Sequence, residues 1–266
     1  MEHKMFSGAT STTRSLERAL SILCAFNHER QRLTLTQLSE TLNLPKATVF
    51  RLCSTLLKYR FLLFDNDLKR YYPGLRLFEL GSISWSSLSL RKIASPHLLG
   101  LYSAISKNVS LAILEGDELL YIDRVQDKRS SSGFGSEIGW RRPPHYGVLG
   151  QAIMAFLPER EVNRLLEKNP LKRYTRKSIV RKKQFKETLR EIKKRGFVIE
   201  EGMVCDGVTG IGAPIRDSTQ NVIAALGVTF ISSIEGEARI KRIIEHVVRT
   251  AQIISEELGY LEAISG

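Results

Sequence analysis

Two short helices joined by a tight turn are predicted for residues 33–62, LTLTQLSETLNLPKATVFRLCSTLLKYRFL. Thr36 is the expected N-cap of the first helix, and Asn43 begins the turn that follows it. Pro45 stands where the second helix begins, a position at which its missing N–H leaves no hydrogen bond unmade. The second helix has the i, i+3, i+4, i+7 spacing of a buried apolar stripe. The stripe consists of Val49, Leu52, Cys53, Leu56 and Leu57.

The opposite face of the second helix carries cations and hydroxyls, which can reach phosphates and base edges. These residues are Lys46, Thr48, Phe50, Arg51, Ser54, Thr55 and Lys58, and Thr36 of the first helix is a further candidate contact. A helix, a short turn and a second helix with a polar outer face form the helix-turn-helix arrangement that binds the DNA major groove. Any two amphipathic helices joined by a turn share this pattern, so the segment by itself leaves a purely structural role open.

The flanking residues complete a winged helix-turn-helix domain. Residues 61–64 and 69–72 predict a hairpin around Asp65-Asn66-Asp67, with Lys69 and Arg70 at its basic tip. Ahead of the two helices, a first amphipathic helix is predicted from Leu16, Ala19, Leu20, Leu23 and Phe26. We therefore expect a DNA-binding domain over residues 13–75, preceded by a disordered tail at residues 1–12.

Two regions hold the positive charge of this chain, whose formal net charge is +12. Residues 1–80 have 12 Lys and Arg against 7 Asp and Glu, and residues 172–195 have 12 against 2. A basic protein suits a polyanionic partner. The second cluster is most simply a solvated loop and helix face, and an auxiliary contact to DNA or to an acidic partner is the alternative.

The rest of the chain predicts an α+β domain on an antiparallel sheet. Residues 76–95 are Ser-rich and are expected to form a linker helix region rather than part of a core. From residue 109 the apolar spacing becomes strand-like, with a hairpin at Gly116-Asp117, an irregular strand in SSGFGSEIG and three later strands in FVIEE, VTGIGAPIR and NVIAALGVTF. Strands joined by hairpins, with helices between and after them, are typical of an α+β domain, here residues 96–266.

Several classes of protein are disfavoured by composition. The sequence is 42% hydrophobic and 26% charged, as in soluble globular proteins, and it lacks a run of about 18 apolar residues that could span a membrane. The first residues have no apolar stretch typical of a signal peptide, so a cytoplasmic location is expected. Cys24, Cys53 and Cys205 are odd in number and lack metal-ligand spacing, so we expect free thiols, two of them buried in helices, and no metal or cofactor.

Taken together, these blocks resemble the IclR family of bacterial transcription regulators over residues 13–260. The similarity is carried by LTLTQLSETLNLPKATVFRLCSTL, RYYPGLRLFELG, ELLYIDRV, IGWRRPPHYGVLGQAIMAF and RGFVIEEGMVCDGVTGIGAPIRDSTQNVIAALGVTF. The resemblance implies a winged helix-turn-helix, a linker helix and a C-terminal GAF/PAS-like domain that binds a small effector molecule. It also implies dimers or tetramers on palindromic operators in double-stranded DNA, mostly as repressors and sometimes as activators.

The resemblance further implies an effector pocket against the sheet. Its expected residues are Ile138, Gly139, His145, Ile153, Glu200, Gly210, Gly227 and Thr229. Gly210 replaces a residue that is often Cys in the family, and Gly227 replaces one that is often Ser. These exchanges predict a larger, less polar pocket that suits an aromatic or bulky organic acid. The alternative is that the glycines let the sheet pack closely against a helix, with no cavity. Arg141-Arg142 could attract an anion, although a solvated pair at a strand end is favoured.

Two other functions are weaker interpretations than a DNA-binding regulator: an enzyme, and a sensor that does not bind DNA. Catalysis needs a nucleophile, a base and an orienting group together. Only His145, Cys205 and Asp206 have the right types, and they lie in separate segments. Glu200 and Glu201 are adjacent strand residues that point to opposite faces, so they cannot share one substrate atom.

Overall fold

The computed structural model describes residues 13–27, 29–87, 89–126 and 137–261. The chain divides into two compact units, residues 1–87 and 88–266. The predicted tail at residues 1–12 and most of the predicted strand SSGFGSEIG lie outside the described residues. In the described part, no helix is both long enough and apolar enough to cross a membrane.

The first unit is a winged helix-turn-helix, as predicted. Its elements are α1 (Arg14–Cys24), α2 (Leu35–Leu42), α3 (Lys46–Lys58), β1 (Leu62–Asp65), β2 (Arg70–Pro73) and α4 (Leu75–Ser87). The antiparallel hairpin of β1 and β2 pairs Leu62 with Pro73 and Asp65 with Arg70. Val49, Cys53 and Leu56 of α3 are buried against Leu38 of α2 and their neighbours, so the predicted stripe is the core of this unit.

Two details of the first unit differ from the sequence prediction. The N-cap of α2 is Thr34, not Thr36, because Thr34 Oγ1 accepts from the Gln37 backbone N–H while Gln37 Oε1 accepts from the Thr34 N–H. In α1 the fully buried residue is Ile22, whereas Leu16 and Leu20 are more than half exposed. The predicted stripe therefore holds only in part, since Leu23 and Phe26 pack against the core. Cys24 is exposed rather than buried.

The second unit is built on a six-stranded antiparallel sheet with strand order β5-β4-β3-β8-β7-β6. Its strands are β3 (Asn108–Glu115), β4 (Glu118–Val125), β5 (Arg141–Arg142), β6 (Val198–Glu201), β7 (Val208–Arg216) and β8 (Val222–Ile231). Its helices are α5 (Ser89–Ile105), α6 (Gly147–Met154), α7 (Glu159–Lys168), α8 (Lys182–Arg195) and α9 (Glu237–Glu257). The hairpin predicted at Gly116-Asp117 joins β3 and β4.

Each face of this sheet packs on its own set of helices. Helices α5 and α9 share one apolar core with the sheet, and helices α6, α7 and α8 share the other. Leu90 and Ala94 of α5 are buried in the first of these cores. The end of the predicted linker region, from residue 89, is thus part of a core, because its leucine and alanine recur at helical spacing facing the sheet.

Candidate functional sites: a basic helix face and a cavity beside the sheet

The outer face of α3 presents its cations to solvent. Lys46, Arg51 and Lys58 are exposed, and Phe50 is 54% exposed. Lys46 lies in the first turn of α3 and Lys58 in the last. The predicted side chains of the α3 face therefore stand together on one accessible surface, apart from the half-buried Thr48.

Two hydroxyls of this face already have partners in the helix. Ser54 Oγ donates to the Phe50 carbonyl at 2.8 Å, and Thr55 Oγ1 donates to the Arg51 carbonyl at 3.2 Å. Such bonds are weak and easily exchanged, so both oxygens can still accept from a ligand. Thr36 is exposed in the first turn of α2.

The tip of the wing carries charges of both signs. Lys69 and Arg70 are exposed, as predicted. Asp65 accepts from Arg32 at 2.5 Å and from the backbone N–H groups of Leu68 and Asp67. These bonds, the one from Leu68 foremost, hold the pKa of Asp65 below its usual value. Asp65 therefore holds the turn between β1 and β2 through its bonds from the backbone.

A cavity of about 410 Å³ lies between the start of α6 and the sheet. Its size is within the range of small-molecule sites. Four of the eight predicted effector residues line it: Glu200, Gly210, Gly227 and Thr229. The polar and aromatic side chains that join them are Asn108, Ser110, Tyr121, Arg124, Trp140, Arg142, Tyr146 and Cys205.

The other four predicted residues do not line the cavity. Ile153 is 2% exposed and packs in the core around α6, because that helix is buried on every side. His145 faces a much smaller pocket of about 30 Å³ with Leu171 and Phe185. Ile138 and Gly139 precede the lining residue Trp140 but are not part of the wall.

Gly210 and Gly227 allow α6 to lie almost directly on the strands. A Cβ atom at Gly210 would be 2.8 Å from Val148 Cγ1, and one at Gly227 would be 2.8 Å from Leu149 Cδ2. The close packing proposed as the alternative is therefore observed, yet both glycines also line a cavity. Because Gly210 and Gly227 have no side chain, α6 lies close to β7 and β8, and open space remains beside the first turn of α6.

Glu200 is the only carboxyl group among the cavity-lining residues in the described part of the chain. It is 9% exposed, and its Oε2 accepts from Gln151 Nε2 at 2.8 Å. Burial raises the pKa of Glu200 to about 7, although the bond from Gln151 opposes this shift. Near neutral pH its side chain is therefore divided between a neutral acid that can donate and a carboxylate that can only accept.

The cavity is more polar than predicted because it contains two arginines. Arg124 donates to Glu137 at 2.5 Å and also to Gln126. The guanidinium of Arg142 lies over two aromatic rings, with Cζ 4.6 Å from the Trp140 centroid and 5.4 Å from the Tyr146 centroid. Arg142 is not the solvated residue expected from its position at a strand end. Sequence reasoning could have found it from its aromatic neighbours in WRRPPHY.

The candidate catalytic residues do not meet. Cys205 lines the cavity, Asp206 is exposed, and His145 lies in the smaller pocket. Burial lowers the pKa of His145, which favours the neutral ring at neutral pH. Within the described residues, no group of three or more His, Cys, Asp or Glu is arranged to hold a metal ion.

The basic cluster at residues 172–195 is largely a solvated surface. Phe185, Leu189 and Ile192 of α8 are buried, while most of its lysines and arginines are exposed. Lys177 and Lys186 form ion pairs with Glu201 and Glu159.

Two family models together match most of the chain. Residues 15–65 match the IclR helix-turn-helix domain, and residues 83–256 match the bacterial transcriptional regulator IclR C-terminal domain. The second match alone extends over more than half of the chain.

Relatives align with almost the whole chain. The chain is 28% identical to HTH-type transcriptional regulator XynR of Escherichia coli, covering 92% of this chain and 97% of that protein. It is 27% identical to the transcriptional repressor IclR of the same species, covering 94% and 92%. A crystal structure of an IclR homologue with 4-hydroxybenzoate, from Microbacterium hydrocarbonoxydans, aligns with a TM-score of 0.80 at 25% identity, covering 92% and 98%.

These relatives are transcriptional regulators, which confirms the prediction that the chain is not an enzyme. The helix-turn-helix match falls on the first unit of the structure, and most of the C-terminal match falls on the α+β unit that contains the cavity. It belongs to the IclR family of bacterial transcriptional regulators, with an N-terminal DNA-binding domain and a C-terminal effector-binding domain.

Proposed function

We propose that this chain is a ligand-responsive repressor that binds a palindromic operator and whose operator affinity changes when an organic acid occupies the cavity. The observation that carries the proposal is the cavity beside α6, placed in the effector-binding domain and lined by two arginines. The name of one relative, the transcriptional repressor IclR, supports repression. Activation of a catabolic operon is the second candidate, since the sign depends on where the operator lies relative to a promoter.

The proposed DNA contacts are the exposed face of α3 and the wing. Arg51 can read a guanine or bind a phosphate through two parallel N–H bonds, and Lys46 can bind a phosphate. The remaining contacts in this proposal are Thr36, Thr48, Phe50, Ser54, Thr55, Lys58, Lys69 and Arg70. Recognition of a long operator by one small domain calls for a second copy related by two-fold symmetry.

A dimer or tetramer joined partly through the linker region is therefore part of the proposal. Leu75 and Phe78 of α4 are 72% and 74% exposed, and Leu80 is 41% exposed. Exposed leucines and a phenylalanine on one short helix favour burial against another chain. In this proposal residues 76–95 link a DNA-binding domain at 13–75 to an effector domain, and the protein acts in the cytoplasm.

The proposed effector is a small organic acid with an aromatic ring. The cavity is larger than a two-carbon acid would fill, and Trp140, Tyr121 and Tyr146 contribute to its wall. The bound 4-hydroxybenzoate of the Microbacterium homologue is an acid of this class.

A binding experiment with the full chain tests the proposed function. A labelled duplex from upstream of its own gene is titrated with protein, and an unrelated duplex of equal length is the control. We expect tighter binding to the upstream duplex and a protein stoichiometry of two or four per site. Equal affinity for both duplexes, or a complex with one protein chain, would contradict the proposal.

A further inference from the structure

Arg142 lies at the wall of the cavity and has no counter-ion among the described residues. Among the described residues, its Nε is buried and has no hydrogen-bond partner. Arg142 also forms no ion pair there, whereas Arg124 on the same wall is paired with Glu137. A partly desolvated guanidinium that keeps its charge gains from an anion brought to it.

Two aromatic rings hold this guanidinium in place. Trp140 and Tyr146 lie 4.6 and 5.4 Å from Arg142 Cζ, and Tyr174 packs edge-to-face on Tyr146 at 5.2 Å. Stacking on aromatic faces stabilises the cation and fixes its plane, but leaves its N–H edge able to donate. Arg142 is therefore preorganised to bind a planar oxyanion by two parallel bonds.

The start of α6 adds positive potential to the same wall. Its first residues, Gly147, Val148 and Leu149, line the cavity, and the N-cap residue Tyr146 gives no side-chain hydrogen bond to the first turn. The N-terminal end of a helix favours a negative charge. The lining carboxyl group that could oppose an anion, Glu200, is partly neutral near pH 7 because burial raises its pKa to about 7.

We propose that Arg142 is the carboxylate-binding residue of the cavity and selects aromatic carboxylates, with Trp140 and Tyr146 holding its guanidinium. This inference rests on the proposed function, since it assigns a chemical role within the same cavity. An aromatic body suits the remaining space beside Val148, Leu149 and Tyr121. Arg142 positions the acid group, and the apolar wall accommodates the ring.

Matched acids and amides test the assignment by calorimetry on the full-length protein. Benzoate and 4-hydroxybenzoate are compared with benzamide and 4-hydroxybenzamide, which have the same shape without the charge. Since a carboxylate accepts stronger hydrogen bonds from a guanidinium than a neutral amide does, we expect each acid to bind about tenfold or more tightly than its amide. Arg142→Gln should remove this preference, because it weakens the binding of the acids more than that of the amides.

The neighbouring Arg141 provides a matched control. It belongs to the same two-residue strand but is exposed and lies near Glu118, away from the cavity wall. Arg141→Gln should bind all four probes as the wild type does. Arg142→Lys keeps the charge but loses the two-bond geometry, so it should retain an intermediate preference for the acids. Its result remains decisive if Arg142→Gln does not fold.

Three results would overturn the inference: no binding of either acid by the wild type, equal binding of acid and amide by the wild type, or an acid preference that is as large in Arg142→Gln or in Arg142→Lys as in the wild type. DNA binding by the same wild-type preparation separates this failure from that of the proposed function. A protein that recognises its upstream duplex but binds acids independently of Arg142 would refute only the role of Arg142. A protein that does not recognise that duplex would refute the proposed function.

Discussion

A methyl group added at Gly227 should destabilise the effector domain. The new Cβ atom would lie 2.8 Å from Leu149 Cδ2, 3.0 Å from the Ile211 carbonyl oxygen and 3.3 Å from Val148 Cγ2. Carbon atoms in ordinary contact are about 3.5–4.0 Å apart. The leucine methyl group could turn away, but the carbonyl belongs to the neighbouring strand β7 and cannot move without disturbing the sheet.

The expected cost follows from overpacking alone, because Gly227 does not have the positive φ that would add backbone strain. Insertion of a methyl group into a well-packed site costs about 1–3 kcal/mol. For a domain of about 150–250 residues, each kcal/mol lowers the midpoint of thermal unfolding by about 2–4 °C. We therefore expect Gly227→Ala to lower the midpoint of the effector-domain transition by several degrees.

Gly100→Ala is the control for this measurement. Gly100 lies in helix α5, is exposed, and has no atom within 4 Å of an added Cβ. Alanine there should stabilise the protein by about 0.4–1 kcal/mol, since it restricts the unfolded chain. Differential scanning calorimetry of both variants decides the matter. A Gly227→Ala protein as stable as the wild type would refute the argument that the glycine is needed for α6 to approach the sheet.

Three further predictions concern DNA contacts, pH and assembly. Arg51→Ala should reduce the binding free energy for the operator by about 1–3 kcal/mol and relax the sequence preference of the protein. Lys46→Ala should reduce the affinity for all DNA sequences similarly, and the slope of log affinity against log salt concentration should fall by about one. Fluorescence anisotropy measures both. The pKa of Glu200 is raised from 4.5 to about 7 on folding, so the folded state binds more protons between these values. The free energy of unfolding should therefore fall as the pH rises through this window, and Glu200→Gln should flatten that dependence in chemical denaturation. Phe78→Asp should weaken self-association, as measured by sedimentation velocity. A wild-type protein that is monomeric at micromolar concentration, with and without DNA, would contradict the proposed dimer or tetramer.

The DNA-binding domain could be predicted in detail because its signals are local. The stripe of α3 and the wing hairpin follow from residues a few positions apart. The wrong N-cap of α2 could also have been avoided from local sequence, since Thr34 and Gln37 form a capping-box pattern in TLTQ. The orientation of α1 was harder to predict, because a helix with many leucines offers several possible apolar stripes. Packing against the other helices decides which face is buried, and here that face contains Ile22.

The effector cavity could be predicted only in part because its wall combines distant segments. Glu200, Gly210, Gly227 and Thr229 lie on the three adjacent strands β6, β7 and β8, so family spacing was enough to identify them. His145 and Ile153 were wrongly assigned to the cavity. Because α6 is buried on all sides, the spacing of its apolar residues does not show which side faces the cavity and which faces the core. For Arg142 a solvated position was favoured over a role in attracting an anion, because its environment depends on a two-residue strand and on the rings of Trp140 and Tyr146.

The most direct test of the account is DNA affinity with and without a saturating aromatic acid. The full-length protein is titrated onto its upstream duplex in the presence of 4-hydroxybenzoate or of 4-hydroxybenzamide, at one salt concentration. Allosteric coupling of about 1–3 kcal/mol predicts that the saturating acid changes the dissociation constant of the duplex by about 5- to 150-fold. The amide, and the acid with Arg142→Gln, should need about tenfold more ligand for half of that change, whereas Arg141→Gln should respond to the acid as the wild type does. An unchanged dissociation constant in wild-type protein saturated with the acid would contradict the central claim that occupation of the cavity controls DNA binding.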